Sequence, residues 1–117
     1  MMLRRFWLGA FIAGLAITPA GAQAPNPSFN VVNRTANAIN EVYATKAGAA
    51  TWGRNRIGGR PVPPGQTGAI RLPADGSCVY DVRVIYANGQ SDQRQGVNTC
   101  SLDNVFFPST GERPTGR

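Results

Sequence analysis

The chain has 117 residues, and its 12 lysines and arginines outnumber its 6 aspartates and glutamates, which gives a formal net charge of +6. It contains no histidine, so Ser–His and Cys–His nucleophiles and the commonest protein metal ligand are excluded. Its two cysteines fit one structural disulfide better than a zinc site, which needs a full tetrahedral set of ligands.

Residues 1–22 have the pattern of an export signal. Arg4 and Arg5 form a short basic start, residues 6–17 form an apolar core, and residues 20–22 form a small-residue cleavage site. The apolar core is shorter than the roughly 20 residues that a membrane span needs, so we expect no transmembrane anchor. Its strength favours the general secretory route over the twin-arginine route. We expect a periplasmic or secreted protein, with one domain at residues 23–107 and a flexible tail at residues 108–117.

Short alternating segments separated by turn residues predict an all-β domain. The predicted strands are residues 28–33, 38–46, 67–72, 78–86, a polar edge strand at 90–96 that continues through 97–100, and 104–107. Residues 38–46 also fit a short helix capped by Asn37, but Ile39 and Tyr43 share one face of a strand, and we expect a strand. The triplet Asn33-Arg34-Thr35 matches a glycosylation acceptor and is interpreted as a turn. About six or seven such strands indicate a small antiparallel β-sandwich, or a barrel-like fold.

The segment 78–86 has the strongest strand pattern and is expected at the centre of its sheet. Apolar and aromatic residues occupy every second position: Cys78, Tyr80, Val82, Val84 and Tyr86. Asn88-Gly89 then predicts a hairpin turn. A three-residue loop, or one bulge in the return strand, would place Cys78 opposite Cys100, within disulfide reach. We predict a Cys78–Cys100 disulfide within this hairpin, with a bridge between two sheets as the alternative. Its contribution would be about 3 kcal/mol in the chain-entropy model.

The acidic residues give little support for an enzyme. A hydrolase with paired carboxylates could draw on Asp75 and Asp81. However, Asp75-Gly76 more simply forms a turn, and Asp81 more simply pairs with Arg83 or with a residue on the neighbouring strand. The glycines lack the strand–loop–helix context of a phosphate-binding loop. We therefore expect no catalytic residues, no cofactor and no metal site.

A long surface loop rich in glycine, proline and arginine spans residues 46–66 and contains Trp52, Arg54, Arg56 and Arg60. The simpler interpretation packs the Trp52 ring at the edge of the sandwich and leaves the arginines in solvent. The functional hypothesis makes these four residues a ligand-binding site, with guanidinium groups for an anion and the indole for stacking. In an exported protein, a phosphorylated glycan or a lipid headgroup fits such a site better than nucleic acid.

Several motifs resemble a family of small exported bacterial proteins. They are Phe29-x-x-x-Asn33-x-Thr35, Val42-Tyr43, Trp52-Gly53, Pro64-Gly65 and Cys78-x-Tyr80-Asp81-Val82-x-Val84, with a second cysteine at Cys100. The resemblance covers most of the mature chain and implies no activity and no catalytic residues. The opening strands, through Pro64-Gly65-Gln66, more distantly resemble thaumatin-like β-sandwich proteins, which implies a sandwich.

Together these features predict a non-enzymatic β-sandwich with a binding or accessory role in the cell envelope. Its partner would be an anionic envelope ligand or another protein. The alternative is an inhibitor that presents the 46–66 loop to an envelope or extracellular enzyme.

Overall fold

The computed structural model describes residues 24–109 and 115–116, so the predicted signal at residues 1–22 lies outside the described residues. The strands are β1 (Phe29–Asn33), β2 (Ile39–Lys46), β3 (Thr67–Ile70), β4 (Val79–Tyr86), β5 (Ser91–Asn98), β6 (Leu102–Phe107) and β7 (Thr115–Gly116). One sheet has the order β3-β1-β6-β7 and the other has the order β2-β4-β5. A helix long and apolar enough to cross a membrane does not occur in these ranges.

The two sheets enclose one hydrophobic core, which confirms the predicted β-sandwich. Strand β4 lies at the centre of its sheet, and its residues alternate between buried and partly exposed as its sequence pattern requires. The buried cluster draws apolar side chains from both sheets; its largest fully buried members are Tyr80, Phe107, Ile39, Ile70, Val31, Val42, Val82, Val84 and Val105. Burial of one such side chain typically contributes about 1.5–3 kcal/mol, so this shared core is the main source of stability.

Residues 39–46 form a strand, as predicted, but Ile39 and Tyr43 do not share one face of it. Ile39 is buried, whereas Tyr43 lies half-exposed opposite Arg83 on the outer face. A bulge between Ile39 and Glu41 shifts the register, so Ile39 and Val42 both face the core although three positions separate them. This bulge explains why the segment also fits a helical spacing.

One pair of strands departs from the predicted antiparallel arrangement. β1 and β6 pair in parallel, with Val31 opposite Val105, whereas all other strand pairs in the described ranges are antiparallel. The parallel pair joins the start of the domain to its end. It results from a chain path that visits both sheets between the two strands, and the spacing of apolar residues carries no information on that path. Beyond β6, the two residues of β7 pair with β6 inside the segment for which the sequence predicts a tail.

The β4–β5 hairpin contains both a three-residue loop and a bulge. The Tyr86 N–H donates to the Gln90 carbonyl at 2.8 Å, so residues 87–89 form the loop, and the bulge adds one residue to β5 next to Gly96. The loop and the bulge shift the strand pairing in opposite directions. Cys78 therefore lies opposite Thr99, whose N–H donates to the Cys78 carbonyl at 2.8 Å. The expectation that Cys100 lies directly opposite Cys78 is therefore wrong by one residue.

The predicted disulfide between Cys78 and Cys100 is confirmed. The two sulfur atoms lie 2.06 Å apart and the two Cα atoms 5.3 Å apart.

Asp81 stabilises the adjacent bulge, because its Oδ1 accepts the Gly96 N–H at 2.9 Å. Of the two partners expected for Asp81, the residue on the neighbouring strand is the one observed, and no ion pair with Arg83 forms among the described residues. The Asp81 carboxylate instead binds backbone amides.

Candidate functional site

An open groove of about 830 Å³ lies between the loop of residues 47–66, called here the excursion loop, and the edge strand β3. Arg54, Arg56, Arg60 and Arg71 all line it, and no lining residue carries a carboxylate. We call it the arginine groove. Three of the four site residues predicted from the sequence are thus brought together, and the structure adds Arg71.

Arg71 directly follows β3, at a position that the sequence pattern could have identified. The predicted strand 67–72 places Ile70 and Leu72 on the core face, and both are buried. Alternation then places Arg71 on the opposite face with Thr67 and Ala69, and all three are exposed. Only the position of the excursion loop, which the sequence does not give, shows that this face lies next to the other arginines.

The middle of the excursion loop is fixed to the open edge of β2. The Val42 N–H donates to Asn55 Oδ1 at 3.0 Å, and the Arg56 N–H donates to the Val42 carbonyl at 2.7 Å. Arg56 Nη2 also donates to the Ala44 carbonyl at 3.1 Å. Arg56 is half-buried, and its Nε is buried without a hydrogen-bond partner. Arg56 is therefore mainly a structural residue in the wall of the groove.

The end of the excursion loop is fixed by Val62. Val62 and Ile39 exchange two backbone hydrogen bonds of 2.8 and 2.9 Å, which extends the second sheet by one residue pair. The Val62 side chain is 3% exposed and occupies the space over Gly68, where a Cβ atom would lie 2.6 Å from Val62 Cγ2. Gly68 thus allows the loop to approach β3 closely.

Asn33 connects this loop to the turn after β1. Its side chain is fully buried, and its Nδ2 donates to the carbonyls of Asn37 at 2.8 Å and Val62 at 2.9 Å. Its Oδ1 accepts the N–H of Thr35 at 2.9 Å and the Thr35 hydroxyl at 2.7 Å. The triplet Asn33-Arg34-Thr35 is therefore a turn, as predicted, and the amide nitrogen that glycosylation would use is buried.

The remaining arginines of the groove are available to a ligand. Arg54, Arg60 and Arg71 are exposed, and none of them forms a salt bridge with a carboxylate of the described residues. Guanidinium groups present several donors in a fixed planar arrangement and have no acceptor. Three such groups around a concave surface without a carboxylate produce a local positive potential that favours an anion.

Trp52 does not line the arginine groove. It is half-buried, and the guanidinium carbon of Arg83 lies 5.8 Å from the centroid of its ring. Arg83 belongs to the outer face of β4, so the indole packs over the second sheet instead of beside Arg54. Trp52 therefore does not provide a stacking surface beside the arginines, and it lies over the face of the second sheet and not at the edge where the simpler interpretation placed it.

The carboxylates considered for catalysis have structural partners. Asp75 forms a salt bridge of 3.0 Å with Lys46 and accepts the Ser77 N–H, which places it in the predicted turn. The Lys46 ammonium group, and then the Ser77 N–H, lower the pKa of Asp75. Asp81 binds the amide of Gly96. Neither carboxylate is positioned as an unpartnered acid or base.

Comparisons with protein-family models, with curated proteins and with solved structures find no match for this chain. Evidence on function therefore comes from the geometry of the arginine groove.

Proposed function

We propose that the protein is an exported, non-enzymatic β-sandwich module of the cell envelope whose arginine groove binds an anionic ligand. The observation that carries this proposal is the position of Arg54, Arg60 and Arg71 around one concave surface, exposed and without a carboxylate partner in the described ranges. Export is supported by the signal pattern of residues 1–22 and by a disulfide, which persists in oxidising compartments.

A non-enzymatic role agrees with the side chains present. The chain lacks histidine, and Asp75 and Asp81 make the structural contacts described above. The inhibitor alternative has less support, because Asn55 and Arg56, in the middle of the loop that an inhibitor would present, are bonded to β2.

The proposal can be tested by calorimetric titration with inorganic tripolyphosphate at low salt. We expect the wild-type protein to bind and the triple variant Arg54→Gln, Arg60→Gln, Arg71→Gln to bind at least about tenfold more weakly, because each charged hydrogen bond contributes about 1.5–3 kcal/mol before solvent screening. Added salt should weaken wild-type binding.

The single variants Arg60→Gln and Lys46→Gln provide a matched control, since each removes one positive charge. Lys46 lies outside the groove lining, so its loss should change binding little. Equal binding by the wild-type and the triple variant would reject the site. Arg56 is left unchanged because its contacts to β2 would confuse lost binding with lost stability.

A further inference from the structure

The arginine groove is bounded on one side by an open sheet edge. β3 is the terminal strand of its sheet and pairs only with β1 among the described strands. The Asn33 N–H donates to the Gln66 carbonyl at 2.9 Å. Because hydrogen-bonded pairs recur at every second residue of an antiparallel ladder, Gly68 and Ile70 also direct their backbone groups toward β1.

The same alternation directs the backbone N–H and C=O groups of Thr67, Ala69 and Arg71 away from β1. All three residues are exposed, and Thr67 and Ala69 line the groove with Arg71. None of their backbone groups takes part in the loop and turn hydrogen bonds of the described chain. The groove therefore presents alternating backbone donors and acceptors beside guanidinium groups.

We propose that the occupant of the arginine groove is an extended acidic peptide segment, which adds as a strand to the free edge of β3. This inference rests on the proposed function and names its ligand. A peptide in strand conformation offers the matching alternation of donors and acceptors. A phosphate group offers acceptors alone, so it can bind the arginines but leaves the outward carbonyls of β3 without a hydrogen-bond partner. Carboxylate side chains at alternate positions of the peptide would then meet the arginines.

The composition of the edge supports a peptide of this kind. Proteins commonly protect an edge strand with proline, lysine, a bulge or very short length. Thr67–Ile70 contains no proline, lysine or bulge, and its length of four residues limits the added strand to a short segment. Its outward side chains, Thr67 and Ala69, are small enough to allow close approach. Arg54, Arg60 and Arg71 would repel the same edge of a second copy and attract an acidic segment, so the charges select the partner.

The test uses a fluorescent, end-blocked peptide of alternating glutamate and threonine. Two derivatives of it are compared: one is N-methylated at the backbone amides of the glutamates, and the other at the backbone amides of the threonines. N-methylation removes backbone donors and leaves the charge unchanged. We expect the parent peptide to bind the disulfide-intact protein and to slow hydrogen exchange at the Thr67 and Ala69 amides. One of the N-methylated derivatives should bind about tenfold more weakly, since it loses at least two hydrogen bonds. A peptide with lysine in place of glutamate should not bind.

The variant Ala69→Pro provides the matched change in the protein. It removes one outward N–H at an edge position where proline is tolerated, so it should weaken peptide binding by a larger factor than tripolyphosphate binding, which depends on the guanidinium groups. If both N-methylated peptides bind as the parent does, without protection at Thr67 and Ala69, strand addition is rejected while anion binding stands. If the parent peptide fails to bind although tripolyphosphate binds through the arginines, the peptide ligand is rejected. Failure of both ligands rejects the proposed function as well.

Discussion

The excursion loop covers the edge of β2 and leaves the edge of β3 open. The excursion loop covers β2: the backbone groups of Ile39 and Val42, and the carbonyl of Ala44, are bonded to Asn55, Arg56 and Val62. The edge of β3 faces the other side of this loop and remains open within the arginine groove. An uncovered edge is an aggregation hazard that charged side chains reduce; under the proposal above, the arginines around the edge of β3 repel a second copy and attract an acidic strand.

The largest expected effect is the loss of the buried amide that positions the loop. Asn33→Asp replaces two donors by acceptors facing the carbonyls of Asn37 and Val62 and buries an acid. We expect the free energy of unfolding in urea to fall by about 3 kcal/mol or more. The exposed Asn88→Asp should change it by less than about 0.5 kcal/mol. Similar losses for the two variants would mean that Asn33 does not hold the loop.

The close approach of the loop to β3 gives the second prediction. Gly68→Ala would place a Cβ atom 2.6 Å from Val62 Cγ2, and such overpacking costs about 1–3 kcal/mol. Val62→Ala leaves a cavity and is also destabilising, but it provides room for the new methyl group. A double-mutant cycle by urea unfolding should therefore show the double variant to be more stable than the sum of the single losses predicts. Additive losses would contradict the contact.

The third prediction separates the structural role of Arg56 at the edge of β2 from the binding role of Arg54 in the arginine groove. Arg56→Ala removes a donor from the Ala44 carbonyl and should lower stability by about 1–2 kcal/mol. Arg54→Ala should change stability by less than about 0.5 kcal/mol, because Arg54 is exposed and forms no salt bridge in the described part of the chain. Tripolyphosphate titration should give the reverse order, with the larger loss of binding for Arg54→Ala at a temperature where both variants are folded. The same order in both measurements would contradict the separation.

The sequence predicts those parts of the molecule that depend on local alternation. Strand β4 and the polar edge strand β5 follow from side-chain period and turn residues, and the disulfide follows from the predicted export signal and the predicted hairpin. The bulge between Ile39 and Glu41 was not predicted, because it is a shift in the register of β2 against β4, which the sequence of β2 alone does not record. The position of Trp52 likewise depends on Arg83, which is distant in sequence.

The candidate site could be predicted only in part for the same physical reason. Arg54, Arg56 and Arg60 are close in sequence and could be grouped by inspection. Arg71 joins them through the contact of Val62 with Gly68, and the structural role of Arg56 depends on hydrogen bonds to β2. Both are long-range contacts, and a single sequence does not record them. The open edge of β3 follows from the sheet order alone.

The smallest effect at neutral pH concerns Tyr86 and the side chains of the neighbouring edge strand β5. Asp92 accepts hydrogen bonds from the N–H and hydroxyl of Ser109, and Arg94 Nε donates to the Phe106 carbonyl at 2.8 Å. Tyr86 is buried beside this edge. Burial first, and then the nearby Asp92 carboxylate, raise the pKa of Tyr86 from 10.0 to about 12.

The sign of the resulting pH dependence follows from proton binding. Between pH 10 and about 12, Tyr86 ionises in the unfolded chain but stays protonated in the folded protein, so the folded protein binds more protons and stability falls as pH rises. Urea unfolding should therefore show the full contribution below pH 10 and a loss above it of at most roughly 1.4 kcal/mol per pH unit, the slope for a difference of one bound proton. Tyr86→Phe should reduce this slope and leave tripolyphosphate binding at pH 7 unchanged. An unchanged slope in Tyr86→Phe would assign the alkaline loss to other groups, of which Tyr80, whose pKa burial also raises, is the nearest on β4.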